Sequence, residues 1–488
     1  MNHSSLLIWI FLLFPAAAAV GCLILRKASW IFRFIMVGAA VDAGLGFILI
    51  QSLFQKGALR AAGSWLRVDT LSAYYILIMI LVFLMASIYA ARYFNEEIQK
   101  GSLSDKTAAR FGSLWFGTLS VMTLVLLSNN LGLMWVGIEA TTLATTFLIS
   151  LHPSPLSLEA AWKYVLICSV GIALAFLGTL FVGAADSSSL IWTKLASHAS
   201  ILNPQLMKMA FIFLLIGYGT KVGLAPLHTW LPDAHSQAPA PVSAVFSGFM
   251  VNEAMYCIMR YLPIVNGAVG NSHFSRDLLL FFGIFSMAVA AVFILFQHDI
   301  KRLLAYSTVE HLGITAIGLG LGGLGVFAAL FHTLNHSICK TTGFLSAGKL
   351  GQKYGTHDLR KMPGTLQKEQ VWGLGLFLSL IILVGSAPFA VFMSELLIIK
   401  AAVDHHHFLL LTFFLTALGI VFIGVLSHAV SAVWGEPPGD HVLPEPNHLG
   451  DMLLVGAPLL LLLILGIWMP HPLRELLEKS TFILTGKQ

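Results

Sequence analysis

Residues 207–250 read MKMAFIFLLIGYGTKVGLAPLHTWLPDAHSQAPAPVSAVFSGFM: an apolar helix carries Lys221 in its interior and then breaks at Ala225-Pro226. An ionisable side chain at membrane depth costs about 2.5–3.5 kcal/mol on insertion scales, so such a residue is retained where it is used. A break in a membrane helix frees backbone N–H and C=O groups, which a bilayer tolerates only against protein or a wet cavity. Together the two features predict a site that handles a cation or a proton inside the membrane.

The remainder of the chain fits a membrane setting. Of its 488 residues 57% are hydrophobic and only 10% charged, with a mean hydropathy of +0.84. A soluble domain is about 25% charged, so polar surface here is too scarce to cover a soluble fold. Apolar runs of roughly 20 residues recur, each long enough to cross a hydrocarbon core of about 30 Å. They predict an all-α polytopic membrane protein of about fourteen spans, near 4–25, 30–54, 71–93, 111–128, 131–151, 161–183, 206–226, 239–261, 277–296, 302–320, 325–348, 371–400, 408–434 and 450–469. The run Leu6–Leu25 passes Ala-Val-Gly-Cys22, faintly like a lipoprotein cleavage site, but it lacks a basic n-region and continues past Cys22. It reads as a retained first span.

The net charge of +5 sits in loops, where it orients the chain rather than marking a nucleic-acid surface. The most basic connections, Arg92–Arg110 and Lys349–Lys368, follow spans three and eleven and so share a side. The positive-inside rule makes that side cytoplasmic and puts both termini outside a bacterial inner membrane. Cys22, Cys168, Cys257 and Cys339 are unclustered, whereas iron–sulfur and zinc sites need grouped thiolates. No cofactor or metal is expected in this chain. Walker, G-x-G-x-x-G and G-x-S-x-G patterns are missing from any strand–helix junction.

The twelfth span breaks as the seventh does, at Gly385-Ser386-Ala387-Pro388, and Glu395 follows in an apolar setting. Broken helices five spans apart predict an internal repeat, and an odd number of helices per copy makes the copies inverted. The expected organisation is helices 1–3 over 1–110, a first repeat over 111–261, a second over 277–434, and a last helix with a short tail over 450–488. Pro226 and Pro388 mark the two breaks.

Further ionisable residues fall in the spans. Glu139 lies in LMWVGIEATTLATTFLI and reads either as a buried acid bonded to a threonine or as a partner for Lys221. A carboxylate beside an ammonium forms a pair whose proton affinity depends on its geometry. His228 reads as a relay, since histidine titrates near neutrality, whereas Asp233 and His235 serve equally well as caps of the broken segment. His332, His336 and Lys340 recur at i, i+4 and i+8 on one helical face. With a lysine at the third step and no H-E-x-x-H glutamate, a wetted proton relay is preferred over a metal site. Asn252-Glu253 and Glu310-His311 are either relays or helix–helix contacts. Asp299-Lys301-Arg302 reads as a helix start at the cytosolic edge, and His405–His407 as solvated.

GTKVGLAPLHTWLPDAHSQAPAPVSA, QHDIKRLLAYSTVEHLG and FHTLNHSICKTTGFLSAGKL resemble three signature blocks of one family. These are the antiporter-like subunits of respiratory complex I, the Mrp cation/proton antiporters and the membrane-bound nickel–iron hydrogenases. Within it, LFHTLNHSICKTTGFLSAGKLGQKYGTHDLRKM resembles the F component of hydrogenase-4 and its relatives in formate-hydrogenlyase-type complexes. The resemblance implies fourteen helices in two inverted five-helix bundles. It makes Glu139 and Lys221 the ion pair of the first half-channel, His332, His336 and Lys340 the relay of the second, and Glu395 its terminal group. It also implies partner subunits with iron–sulfur, and for a hydrogenase nickel–iron, centres. Two departures stand out. Asn252 occupies the place where many relatives carry a central lysine, so either water bridges there or the adjacent Glu253 substitutes. The long C-terminal amphipathic arm of the largest complex I homologue is not expected here.

The function expected is proton translocation within a redox-driven membrane complex. The route runs along Lys221, His228, the Asn252/Glu253 region, His332, His336 and Lys340 to Glu395. The alternatives are a redox-independent Na+/H+ antiporter component, a membrane coupling component for inorganic-carbon uptake beside a soluble zinc-containing partner, and a scaffold whose buried charges only stabilise packing.

Overall fold

The computed structural model describes residues 3–185, 189–435 and 448–486. Its helices, in chain order, are α1 His3–Ile24, α2 Ala28–Lys56, α3 Thr70–Gln99, α4 Asp105–Leu127, α5 Leu131–Ile149, α6 Pro155–Ala185, α7 Trp192–Ser197, α8 Pro204–Val222, α9 Trp230–Gln237, α10 Ala240–Val245, α11 Val251–Val269, α12 His273–Leu295, α13 Ile300–Leu321, α14 Leu324–Tyr354, α15 Thr365–Lys368, α16 Gln370–Leu383, α17 Ala390–Asp404, α18 Phe408–Trp434, α19 Leu449–Ile467 and α20 His471–Thr485. Among the described residues, eleven helices are long and apolar enough to cross a membrane, α10 and α11 counting as one crossing over Ala240–Val269. The more polar α13 and α14, and the broken pair α16–α17, bring the crossing elements to the fourteen expected.

Helix starts follow from short polar side chains that accept the orphan amides of a first turn. Asp69 accepts from the Ser72 amide at the head of α3, Ser104 from Thr107 at α4, Asn130 from Gly132 and Leu133 at α5, and Asp299 from Arg302 at α13. A short hairpin, β1 Leu59–Ala61 paired antiparallel with β2 Leu66–Val68, joins α2 to α3.

The chain forms two compact units. The first comprises 1–222, 249–275 and 476–488. Its tightest contact is between α6 and α8, where a Cβ on Gly217 would fall on the Ala175 amide and the Gly171 carbonyl. Only glycine allows this backbone approach, the usual device of membrane helix pairs. Near its head α3 is tied to α11 by Arg260, which donates to both Asp69 oxygens at 2.7 and 2.8 Å, to Ser72 at 2.7 Å and to Tyr256 at 2.9 Å. The short tail expected after the last span forms α20, an amphipathic helix that buries Leu476, Leu477, Ser480 and Leu484. Mixed charges spaced between its leucines mask the pattern in the sequence.

The second unit comprises 223–248 and 276–475, so the segment that follows the first break belongs to it. α8 ends at Val222, slightly ahead of Pro226, because Gly223 takes a positive φ of 86°. The groups freed by the break find side-chain partners, as a bilayer requires. The Ala225 amide donates to Ser286 (2.9 Å), the His235 carbonyl accepts from Ser243 (2.9 Å), and the Ala238 carbonyl accepts from Lys301 (2.6 Å). The second break follows the same plan. α16 stops at Leu383, Gly385 has φ 72°, and Asn335 donates to the Ala390 carbonyl at 2.9 Å where α17 begins. Both breaks carry a cis Ala–Pro peptide.

Candidate functional site

In each unit a group of buried ionisable side chains gathers around a lysine inside the helices. In the first unit Lys221 comes from the last turn of α8 and is fully buried. Its ammonium donates to Thr142 Oγ1 at 2.8 Å and to the Tyr164 hydroxyl at 2.6 Å, and it lies 4.9 Å from the centroid of the Tyr164 ring. Tyr164 in turn meets Thr145 at 2.7 Å. Glu139, on α5 one turn before Thr142, is half-buried and accepts from Ser169 at 2.9 Å. Lys221 and Glu139, expected to act as a pair whose geometry sets its proton affinity, share no hydrogen bond here.

Glu253 is fully buried on α11, and both its oxygens lack a hydrogen-bond partner among the described residues. It follows Asn252, also buried, immediately after the π-turn Phe246–Met250. Four threonines of α5 return their hydroxyls to the helix's own carbonyls: Thr141 and Thr142 to Ile138, Thr145 to Thr141, and Thr146 to Thr142. The sequence does not distinguish Thr142, Thr145, Tyr164 and Ser169 as site residues, because hydroxyls in apolar helices ordinarily bond to their own backbone.

The second cluster is built on α13, α14 and α17. His332 Nδ1 lies 2.9 Å from Ser394 Oγ, and His332 Nε2 lies 2.9 Å from His311 Nδ1. Ser394 donates to the Val391 carbonyl at 2.7 Å, so it accepts from His332. That leaves His332 Nε2 to accept from His311, and the chain acquires one polarity. The His336 ring centroid is 5.2 Å from that of His311. Lys340 donates to the Leu304 carbonyl at 2.8 Å, and Glu310 is fully buried on the same helix as Leu304. Glu395 is buried, and a Cβ on Gly385 would run into its carboxyl, so the second break is shaped around that group.

His311, read from the sequence as either a relay or a helix–helix contact, bonds to His332 of the predicted relay. It sits on α13, outside the i, i+4, i+8 run of α14, and adjacency between helices is invisible to spacing. Ligand atoms of His311, His332 and Glu395 lie within 4.8 Å of one another, the one grouping among the described residues that suits a metal ion. The mutual His311–His332 bond occupies the facing nitrogens, and Lys340 adds positive charge nearby. The arrangement accommodates a shared proton with fewer changes than a divalent cation.

In the broken segment His228 is buried against Phe293 and Tyr306, with centroids 6.5 and 6.1 Å away. His235 stacks on Phe344 at 4.7 Å, with neither ring nitrogen bonded among the described residues. Asp233 forms an ion pair with Arg302 at 2.6 Å. Lys301, expected at the cytosolic edge, is buried.

The model of the transmembrane family described as NADH:quinone oxidoreductase/Mrp antiporter matches residues 128–421, which include all the residues of both clusters. The chain belongs to this family. It is 36% identical over 452 residues to the hydrogenase-4 component F homolog of Methylacidiphilum infernorum, covering 89% of this chain and 92% of that one. A chain of the membrane-bound sulfane sulfur reductase, an archaeal respiratory membrane complex, shares the fold with a TM-score of 0.88 at 23% identity, over 98% of this chain and 97% of that chain. A chain of Thermus thermophilus respiratory complex I with bound NADH superposes with a TM-score of 0.82 at 20% identity, over 98% and 99% of the two chains. Such NADH:quinone oxidoreductase/Mrp antiporter proteins work inside multi-subunit membrane complexes.

Proposed function

We propose that this chain is a proton-translocating membrane subunit of a redox-driven complex, of hydrogenase-4 or formate-hydrogenlyase type or akin to complex I. One observation carries the reading: each unit buries a lysine inside its helices, Lys221 on the Thr142 and Tyr164 hydroxyls and Lys340 on the Leu304 carbonyl, together with the buried carboxyls of Glu253 in the first unit and of Glu310 and Glu395 in the second. Isolated charges of this kind are expensive in a bilayer, and intramembrane ionisable groups mark ion pathways. Glu139, Lys221 and Glu253 take up and release the proton in the first unit. His311, His332, His336, Lys340 and Glu395 do so in the second, and His228 serves beside the first break. Moving one charge across 100 mV takes about 2.3 kcal/mol. A change of a few pKa units, at about 1.36 kcal/mol each, is on that scale.

Iron–sulfur centres, and nickel–iron in the hydrogenase case, belong to partner subunits in this reading. The complex sits in a bacterial inner membrane with both termini of this chain outside. The decisive experiment is to purify the tagged chain in mild detergent, identify co-purifying subunits by mass spectrometry, and measure iron and nickel. Iron with nickel supports a hydrogenase-type pump, and iron alone a complex I-like one. Neither metal, with only small membrane partners, overturns redox driving in favour of Na+/H+ exchange, the second reading, which the Mrp part of the family description favours. A coupling role in inorganic-carbon uptake would instead bring down a soluble zinc-containing partner. Pumping at the normal rate by assembled Lys221→Ala and Glu139→Ala variants would refute the mechanism.

A further inference from the structure

The polar groups around Lys221 fall into two layers. One holds Glu139 of α5 and Ser169 of α6, bonded to each other at 2.9 Å. The other holds Thr142 and Thr145 of α5 and Tyr164 of α6, and the Lys221 ammonium now lies in it. Glu139 and Thr142 are three residues apart, a rise of about 4.5 Å along a helix. A lysine side chain covers that distance by changing rotamers. The helix that carries it is held, because α8 packs backbone to backbone on α6 at Gly217 and Gly171, with Thr220 seated against Gly171. Any exchange of partner is therefore a movement of the side chain and not of the helix.

We infer that Thr142 and Tyr164 form a second docking station for the Lys221 ammonium, and that the side chain alternates between this station and Glu139. The inference rests on reading Lys221 and Glu139 as a proton-handling pair. The station is built to hold rather than to conduct. The Tyr164 hydroxyl accepts from Lys221 and meets Thr145, whose own hydroxyl is spent on the Thr141 carbonyl at 2.5 Å. Thr142 accepts from Lys221 and points its proton at the Ile138 carbonyl, 3.3 Å away. The Thr142 and Thr145 protons thus go to backbone oxygens, and the Tyr164 hydroxyl also lies 3.5 Å from Met250 Sδ. The station carries no charge, so the lysine is countered by a carboxylate in one position and by hydroxyl dipoles and an aromatic face in the other. Glu139 meanwhile keeps a hydrogen bond from Ser169 and is not left bare when the lysine departs.

The test uses the intact complex in membrane vesicles, energised with the donor the purified complex oxidises. Thr142→Val keeps the shape and removes the hydroxyl, Thr142→Ser keeps the hydroxyl, and Tyr164→Phe removes the second acceptor. Proton translocation per turnover is expected to fall about tenfold or more in Thr142→Val and in Tyr164→Phe, the loss that goes with a hydrogen bond to a charged group. Thr142→Ser should pump as wild type. Infrared difference spectra, with the Glu139 carboxyl assigned by its disappearance in Glu139→Gln, should show that carboxyl's band shifted in Thr142→Val. Wild-type pumping and an unmoved Glu139 signal in both hydroxyl-deleted variants would overturn the station. So would an equal loss in Thr142→Ser, which assigns Thr142 to packing. Lys221→Ala separates the two levels: if it pumps normally, the reading of Lys221 fails, whatever the hydroxyls do.

Discussion

Asp69→Asn removes the negative charge from a guanidinium that is only 4% exposed, that of Arg260. Two of the four hydrogen bonds of Arg260 go to Asp69; the others go to the hydroxyls of Ser72 and Tyr256. Deleting one partner of a buried pair costs about 3–5 kcal/mol, because the remaining charge stays buried without a counterion. Burial pushes the Asp69 carboxyl up, but Arg260, helped by the Ser72 amide, more than reverses this and holds it at about 2. Against an unperturbed value near 3.9, that shift is worth about 2–3 kcal/mol. The figure is smaller than the deletion cost because it compares only the two protonation states of an intact carboxyl. Asparagine still offers an oxygen to the Ser72 amide and keeps the cap of α3, whereas Asp69→Ala loses the cap as well, at about 1 kcal/mol more. The depressed carboxyl stabilises the fold fully above about pH 4, and the contribution disappears as the pH falls through 2. Detergent-induced unfolding of the purified protein at neutral pH should place Asp69→Asn about 3–5 kcal/mol below wild type and Asp69→Ala lower still. The wild type should lose part of this difference on acidification. Arg260 stands two turns beyond Glu253 on α11, so proton transport should weaken with the anchor. An Asp69→Asn protein as stable as wild type at pH 7 and equally sensitive to acid would refute the reasoning.

Three further outcomes follow from the same geometry. Gly217→Val drives a side chain into the Ala175 amide and the Gly171 carbonyl, so α6 and α8 should separate at a cost of about 1–3 kcal/mol, read as a lower melting temperature. His311→Phe cuts the bond to His332 and should reduce proton transport about 10²–10⁴-fold, the usual worth of a positioned acid–base group, while His405→Ala in the exposed loop leaves it unchanged. Ser169→Ala takes away the donor to Glu139 and should cost about 1 kcal/mol in the transport step, a several-fold loss visible in vesicle acidification rates.

The crossing segments and both breaks are legible in the sequence, because run length, Pro226, Pro388 and the flanking glycines report directly on membrane helices. The lysines are legible for the same reason: a charge in an apolar run has few readings. The spacing of His332, His336 and Lys340 places them on one face of α14, where they lie. What spacing does not carry is contact between helices. His311 meets His332 across α13 and α14, and Lys221 takes hydroxyls from α5 and α6 over Glu139, whose side chain turns to Ser169. The seventh helix stops early because the left-handed Gly223, and not the proline, ends it. Asp233 pairs with Arg302 because the broken segment brings it within 2.6 Å of that guanidinium.

The threonines of α5 bear on biogenesis. A helix reading TTLATT asks the insertion machinery to accept four hydroxyls before α6, which packs on it, has been made. Each is already spent on a carbonyl of its own preceding turn, so the segment enters lipid with its polarity masked from within. Glu139 is the exception, since its donor arrives only with α6, the next helix to leave the ribosome. The period during which α5 is exposed in the nascent protein is thus one helical hairpin long.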